Sequence, residues 1–340
     1  EKLLRKKKKQ YGKILNIIKK TGKNIQNQFF KMKKIVTLIP SATEIVAFLG
    51  QQELIVGKSH ECDYPKNLEK IVELTSPKIN VDGTSGEIHK QINEILENSL
   101  SVYKVNINKL KKLNPDIVIT QAHCEVCAVS FSEVEEIVSK HLNEKTKIIS
   151  LQPNTLSEVF DDIKRVGDGL SLNDKNVKES INSLKDRVKN IELKSQKQKP
   201  KKIACIEWID PLMVAGNWIP EMVKISGGND AFGKSGKDSH WITFNELKDA
   251  DPEIIIFLPC GYNIDKTKNE VENVYKKENR WNNLRAFNNK DIYIVDGNQF
   301  FNRPGPRLVE SIEIFAEIIH PELFQFNHHK IGWINYFNSQ

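Results

Sequence analysis

The densest group of soft metal ligands in the chain lies in Gln121-Ala-His-Cys-Glu-Val-Cys127, where His123, Cys124 and Cys127 fall within five residues. A second group, His60 and Cys62, lies in Ser59-His-Glu-Cys-Asp-Tyr-Pro65. Thiolate sulfur and imidazole nitrogen suit zinc, copper and other borderline metals, and Cys-x-x-Cys commonly supplies half of such a site. The spacing raises a metal site, for zinc as an example, built from Cys62, His123, Cys124 and Cys127, with the fold bringing the two groups together. The same thiols also admit a redox role, or simple packing and ligand lining. A dithiol oxidoreductase would carry its cysteine at the start of a helix, and no helix evidently runs from Cys124. Five cysteines are an odd number in a large chain, which argues against a disulfide framework and for a reducing compartment.

The second candidate group is aromatic. Tyr64, Trp208, Trp218, Trp241, Tyr262, Phe300 and Phe301 fall in or beside predicted loops, most of them after strand ends. Aromatic rings on loops that face a cleft make a broad apolar surface for a large planar ligand, whereas the same rings turned inward are core. His60, Asp63 and Arg303 share these loops and complete the candidate ligand-binding set. Glu44 and Glu221 each begin a predicted helix in matching positions. They either cap those helices or project from the molecule to meet basic residues of a partner. The chain has no Gly-rich phosphate loop, nucleophile elbow or HExxH motif, so an ordinary kinase or hydrolase is not expected.

These residues must be positioned by an α/β framework. Asp116-Ile-Val-Ile-Thr120 reads as a buried parallel strand, which places His123 to Cys127 just beyond a strand's carboxyl end, where open α/β sheets bind ligands. Asn108-Lys-Leu-Lys-Lys-Leu-Asn-Pro-Asp-Ile-Val-Ile119 can be laid over Asn245-Glu-Leu-Lys-Asp-Ala-Asp-Pro-Glu-Ile-Ile-Ile256, and Glu44-Ile-Val-Ala-Phe-Leu-Gly50 over Glu221-Met-Val-Lys-Ile-Ser-Gly227. Two similar lobes follow, each α/β and Rossmann-like. Ser41-Ala-Thr-Glu44 has the capping-box form, with Ser41 as the expected N-cap. Between the lobes, Val177, Ile181, Leu184, Val188 and Ile191 keep a spacing of three to four, which predicts a helix of about 30 Å suited to a rigid strut. The expected division is a basic extension over 1–31, a first lobe over 32–153, a helical linker over 154–199, a second lobe over 200–325 and a tail over 326–340.

Of the net charge of +7, the first 31 residues hold +10, so residues 32 to 340 carry −3. The basic balance belongs to a Lys- and Asn-rich extension and is no argument for nucleic acid. That extension lacks the continuous apolar core of an export signal, and Met32 reads as the natural start. No window holds the roughly 18 consecutive apolar residues of a membrane span, so a soluble chain is expected. The missing export signal makes the expected location cytoplasmic, and a monomer is the expectation.

Ile39-Pro-Ser-Ala-Thr-Glu44, Glu61-Cys-Asp-Tyr-Pro65, Leu113-Asn-Pro-Asp-Ile-Val-Ile119, Trp241 and Phe300-Phe-Asn-Arg-Pro-Gly-Pro-Arg307 together resemble the cobalamin-binding, iron-complex-type substrate-binding proteins of ABC importers. The resemblance covers roughly residues 33 to 325. It implies two Rossmann-like lobes joined by one long helix, with a corrinoid such as cobalamin, or a related metal chelate, held in the cleft between them. It implies cleft roles for Tyr64, Trp241, Phe300 and Phe301, and docking of Glu44 and Glu221 onto arginines of a membrane permease. Periplasmic location is the family's implication, against the cytoplasmic one drawn from the missing export signal. The leading expectation is a non-enzymatic corrinoid-binding protein, in which His60 or His123 could reach an axial position of cobalt. The alternative is a cytosolic metal- or thiol-dependent enzyme acting on corrinoids through Cys62, Cys124 and Cys127.

Overall fold

The computed structural model describes residues 33–97, 101–122, 129–277 and 279–338. Its first lobe is built on five parallel strands: β1 (Ile35–Thr37), β2 (Ile55–Lys58), β3 (Val72–Glu73), β6 (Ile117–Gln121) and β7 (Lys147–Leu151), in the order β3-β2-β1-β6-β7. Short β4 (Thr75–Pro77) and β5 (Tyr103–Val105) pair with each other outside that sheet. Helices α1 (Pro40–Phe48), α2 (Ser85–Leu96), α3 (Ile107–Leu113) and α4 (Phe131–His141) make the connections. β6 is buried along its whole length, as a central parallel strand covered on both faces must be.

The linker is two helices. Helix α5 (Leu156–Gly169) carries a full capping box at Thr155 and Glu158 and packs its buried stripe into the first lobe's core. Helix α6 (Asp174–Ser195) is the strut, 22 residues and so about 33 Å long. Val177, Ile181, Leu184, Val188 and Ile191 are all buried. They join one continuous apolar core that runs from Ile35 and Ile119 of the first lobe, through α5 and α6, to Met222 and Phe315 of the second. Continuity of that core is what makes the strut rigid.

The second lobe contains β8 (Lys201–Trp208), β9 (Met213–Val214), α7 (Ile219–Ile225), β10 (Gly228–Asp230), β11 (His240–Trp241), α8 (Phe244–Ala250), β12 (Ile254–Phe257), α9 (Ile264–Lys277), α10 (Arg285–Asn288), β13 (Ile292–Val295), α11 (Leu308–Ile319) and β14 (Trp333–Asn335). Strand order is β11-β9-β8-β12-β13-β14, with β10 alongside β8. The internal repeat is realised in detail. Helix α3 ends at Asn114 and α8 at Asp251, both left-handed at φ 44° and 43°, and each is followed by a proline and then a buried strand. Gly50 and Gly227, which close the other repeated segment, also have positive φ.

Two expectations are corrected here. Helix α1 begins at Pro40, its N-cap is Ile39, and no side chain caps it. Proline fits the first helical position because that N–H has no partner in any case, and the capping box of Ser41 and Glu44 does not form. The segment over 326–338 is no loose tail either. β14 closes the sheet edge antiparallel to β13. Helix α11 carries Glu313 and Glu317 on a buried face, and the segment answers both: His328 Nε2 lies 2.9 Å from Glu313, and Trp333 Nε1 donates to Glu317 at 2.7 Å. Truncation after Gln325 strips these carboxylates of partners worth about 1–3 kcal/mol each. Urea unfolding of that truncation is expected to show a loss of roughly 3 kcal/mol or more; an unshifted midpoint would return the segment to the status of a tail.

Candidate functional site

The carboxyl ends of the strands in both sheets deliver their loops to the junction of the lobes, as open α/β sheets do. From the first lobe come α1 and the loop after β2, with Glu44, Glu61, Asp63 and Tyr64. From the second come the turn after β13 and the approach to α11, with Asn298, Arg303 and Arg307. Arg307 donates from Nε and Nη2 to the two oxygens of Glu44, at 2.9 and 2.6 Å. Arg303 reaches Glu44 at 3.4 Å, both oxygens of Asp63, the Glu61 carbonyl at 3.2 Å and Asn298 at 2.9 Å. Burial pushes the Asp63 carboxyl up, but the hydrogen bonds and charge of Arg303 outweigh it and hold the group below its ordinary value. Burial raises the Glu61 carboxyl, which accepts a 2.7 Å hydrogen bond from Tyr103. The Arg307 guanidinium also lies 4.0 Å over the Tyr64 ring.

Beside this polar network is an apolar one. Trp208 and Tyr262 of the second lobe, their rings 5.5 Å apart, meet Ile88 of the first, with Ile79, Ile92 and Met213 packed around them. Trp208 donates its indole N–H to the Ser85 carbonyl at 3.3 Å. The Tyr262 hydroxyl is buried with no hydrogen-bond partner among the described residues. His60 places Nδ1 2.7 Å from Thr75 Oγ1, leaving Nε2 without a partner among those residues. Burial lowers its pKa, with Glu73 opposing, so the ring is neutral at physiological pH.

The structure thus brings together Asp63, Tyr64, Arg303, Trp208 and Tyr262 at the junction and keeps His60 in the same loop. It moves others elsewhere. Trp218 is core, donating its N–H to the Phe301 carbonyl at 2.9 Å, and Phe301 is fully buried against Phe315. Phe300 is buried with one face toward Arg307. Trp241 is not elsewhere: it is half exposed at the rim of the junction, edge-on to His89 of the first lobe. Cys62 is buried, accepts a hydrogen bond from Thr43 at 3.0 Å, and burial pushes its thiol up to about 11. A thiol held protonated this way is a poor metal ligand. His123, Cys124 and Cys127 lie outside the described residues; among those described, no cluster of three His, Cys, Asp or Glu is placed to hold a metal ion.

Of the two glutamates, Glu44 is turned inward and Glu221 is partly exposed. Glu44 is 3 % exposed and held by two arginines, and Glu221 accepts the Leu156 backbone N–H at 3.1 Å, bracing the start of α5. Arg307 was legible only within the Asn302-to-Arg307 motif, while Ser85, Tyr103 and Glu270 carried no sequence signal. A cavity of about 630 Å³ lies within the first lobe, lined by residues such as Glu73, Thr75, Lys104 and His141.

A model of the family described as periplasmic binding protein matches residues 35–298. An uncharacterised ABC transporter substrate-binding lipoprotein of Bacillus subtilis is 24% identical over 299 residues, 86% of this chain and 82% of that one. The high-affinity heme uptake protein IsdE of Staphylococcus aureus is 25% identical over 200 residues, 56% of this chain and 63% of its own length. Among solved structures, the periplasmic vitamin B12 binding protein BtuF of Vibrio cholerae aligns with TM-score 0.62 at 18% identity, over 86% of this chain and 98% of that chain. Staphylococcus aureus IsdE complexed with heme aligns with TM-score 0.62 at 19% identity, over 85% and 99%.

Removing Glu44 leaves two guanidiniums buried with their shared partner gone, a change that costs about 3–5 kcal/mol in comparable buried pairs. Glu44→Ala is expected to lose at least about 3 kcal/mol in urea unfolding. A loss under roughly 0.5 kcal/mol would show that the carboxylate is solvated and free to dock elsewhere.

Proposed function

The chain belongs to the periplasmic binding protein family, and on that premise we propose that it is the ligand-receiving subunit of an ABC importer, binding a corrinoid such as cobalamin, or a related metal chelate, between its lobes. The carrying observation is the pairing of Trp208 and Tyr262 on one wall of the junction with an isoleucine-rich wall opposite. A planar macrocycle has broad apolar faces, and burying one against the aromatic wall, in place of the isoleucines that now cover it, stabilises the complex by about 25 cal/mol per Å² removed from water. The buried Tyr262 hydroxyl supplies a donor for a polar edge of the ligand, and the neutral Nε2 of His60 a nitrogen for an axial position on the metal.

Haem is the second reading. It draws on the likeness to the staphylococcal heme uptake protein, both in sequence and as a solved complex. The partner in either reading is a membrane permease. Glu44 and Glu221 would dock on it only after release from their present internal contacts. The cytoplasmic location expected from the first residues finds no support among the relatives, whereas an exported or membrane-anchored one is in keeping with the lipoprotein of Bacillus subtilis. The sequence relatives named belong to transport systems, and a buried, protonated Cys62 is a poor nucleophile; Cys124 and Cys127, which the thiol-dependent reading also used, lie outside the described residues.

Titration with cyanocobalamin, aquocobalamin and haemin, followed in the visible spectrum, is expected to give saturable one-to-one binding to at least one of them, with Kd of about 1 μM or tighter. If His60 supplies the axial nitrogen, its lowered pKa keeps it neutral at physiological pH, so affinity is flat around neutrality and falls as acid protonates the ring. His60→Ala would then remove the acid limb. Stoichiometric zinc uptake with no saturable binding of any of the three chelates would overturn the proposal.

A further inference from the structure

Helix α2 is amphipathic, yet its apolar stripe adds nothing to the core of the lobe that carries it. Neither apolar cluster flanking the first sheet contains an α2 residue. Ile88 and Ile92 pack instead with Trp208, Tyr262 and Met213 of the second lobe. Ser85, Ile88, His89 and Ile92 are spaced i, i+3, i+4, i+7, one face of a helix, and that face lies against the opposite lobe. His89 completes it, edge-on to Trp241 with ring centroids 5.0 Å apart.

The N-terminus of α2 is fastened across the junction. The backbone N–H and the hydroxyl of Ser85 both donate to one oxygen of Glu270 on α9, at 2.9 and 2.6 Å, and Glu270 is itself 8 % exposed. A carboxylate at this end of a helix also meets the favourable end of its dipole. The Ser85 carbonyl takes the Trp208 indole N–H, and Lys266 donates to the Val81 carbonyl at 2.6 Å while lying 3.9 Å over the Tyr262 ring. Gly86 fits closely here: a Cβ at this position would stand 3.1 Å from Asp210 Oδ2.

We infer that α2 is a built-in competitor of the ligand: it fills the aromatic wall of the second lobe, and a chelate reaches Trp208 and Tyr262 only by displacing it. This rests on the chelate-binding reading above. Closure leaves the Tyr262 hydroxyl buried and without a partner among the described residues. A ligand that offers an acceptor there, together with a broad apolar face, replaces everything α2 supplies and satisfies one group that α2 does not. A small solute replaces only part of the contact and leaves the helix in place. The latch is therefore a filter for large, flat, partly polar ligands.

Two variants of the full chain test this. Ser85→Pro removes both donors to Glu270 without harming α2, because Ser85 is the first helical residue, where proline is favoured, and Thr84 is extended at φ −65° and ψ 163°. Its α2 amides are expected to exchange with deuterium at least about tenfold faster, and cyanocobalamin or haemin to bind about tenfold tighter, since less of the protein is held closed. The second variant pairs Gly86→Cys with Asp210→Cys. It is expected to close a disulfide on oxidation without ligand, to lose binding of both probes when closed, and to regain it on reduction. Failure of the cysteines to pair, equal affinity in the oxidised and reduced forms, or unchanged exchange in Ser85→Pro would overturn the latch. If the disulfide closes and α2 loosens as expected but neither probe binds any form, the closed contact stands and the chelate reading falls.

Discussion

Two guanidinium groups lie under cover where the lobes meet, and a buried positive charge is tolerated only when carboxylates and carbonyls surround it. Arg303 and Arg307 belong to the second lobe, while Glu44, Asp63 and the Glu61 carbonyl belong to the first. The requirement therefore fixes the register of one lobe against the other. Helix α6 fixes their separation through a core that never breaks between them. With register and spacing both set, the loops at the strand ends have a defined surface to share, and the pairing of Trp208 and Tyr262 with Ile88 follows from it.

Much of this frame was legible in the sequence because it is local. The repeat of Asn108 to Ile119 over Asn245 to Ile256 needs only a short helix, a left-handed residue before proline and an apolar strand, and each copy folds that way. The stripe from Val177 to Ile191 needs only its own period. What stayed hidden depends on partners far along the chain. Ser41 and Glu44 look like a capping box in isolation, yet Glu44 is claimed by Arg307, 263 residues away. Ile88 and Ile92 recur at a helix's period, but nothing in that period says that the face packs on the other lobe. Trp208 ends β8 and Trp218 follows β9, and only the packing shows that one reaches the junction while the other enters the core. The strand Trp333–Asn335 is too short to announce itself without the edge of β13 beside it.

The arrangement joins a rigid part to a yielding one. The strut and the ion network hold the lobes, while α2, fastened by Ser85 and part of neither apolar cluster of its own lobe, is the element that the proposed ligand would displace. On the proposal that α2 is displaced, the receptor opens locally and needs no large swing of one lobe. Its specificity then lies in what the second lobe's aromatic wall accepts in exchange for α2, more than in the charges around it.

The account turns on where the ligand sits. Crystals grown with excess cyanocobalamin, or with haemin, and measured at the absorption edge of the bound metal would locate the cobalt or iron directly by anomalous scattering. The account predicts a single peak between the lobes, with the macrocycle against Trp208 and Tyr262 and α2 moved aside. A peak at the first-lobe cavity near Glu73 and His141, or a macrocycle bound while α2 still covers Trp208, would contradict it.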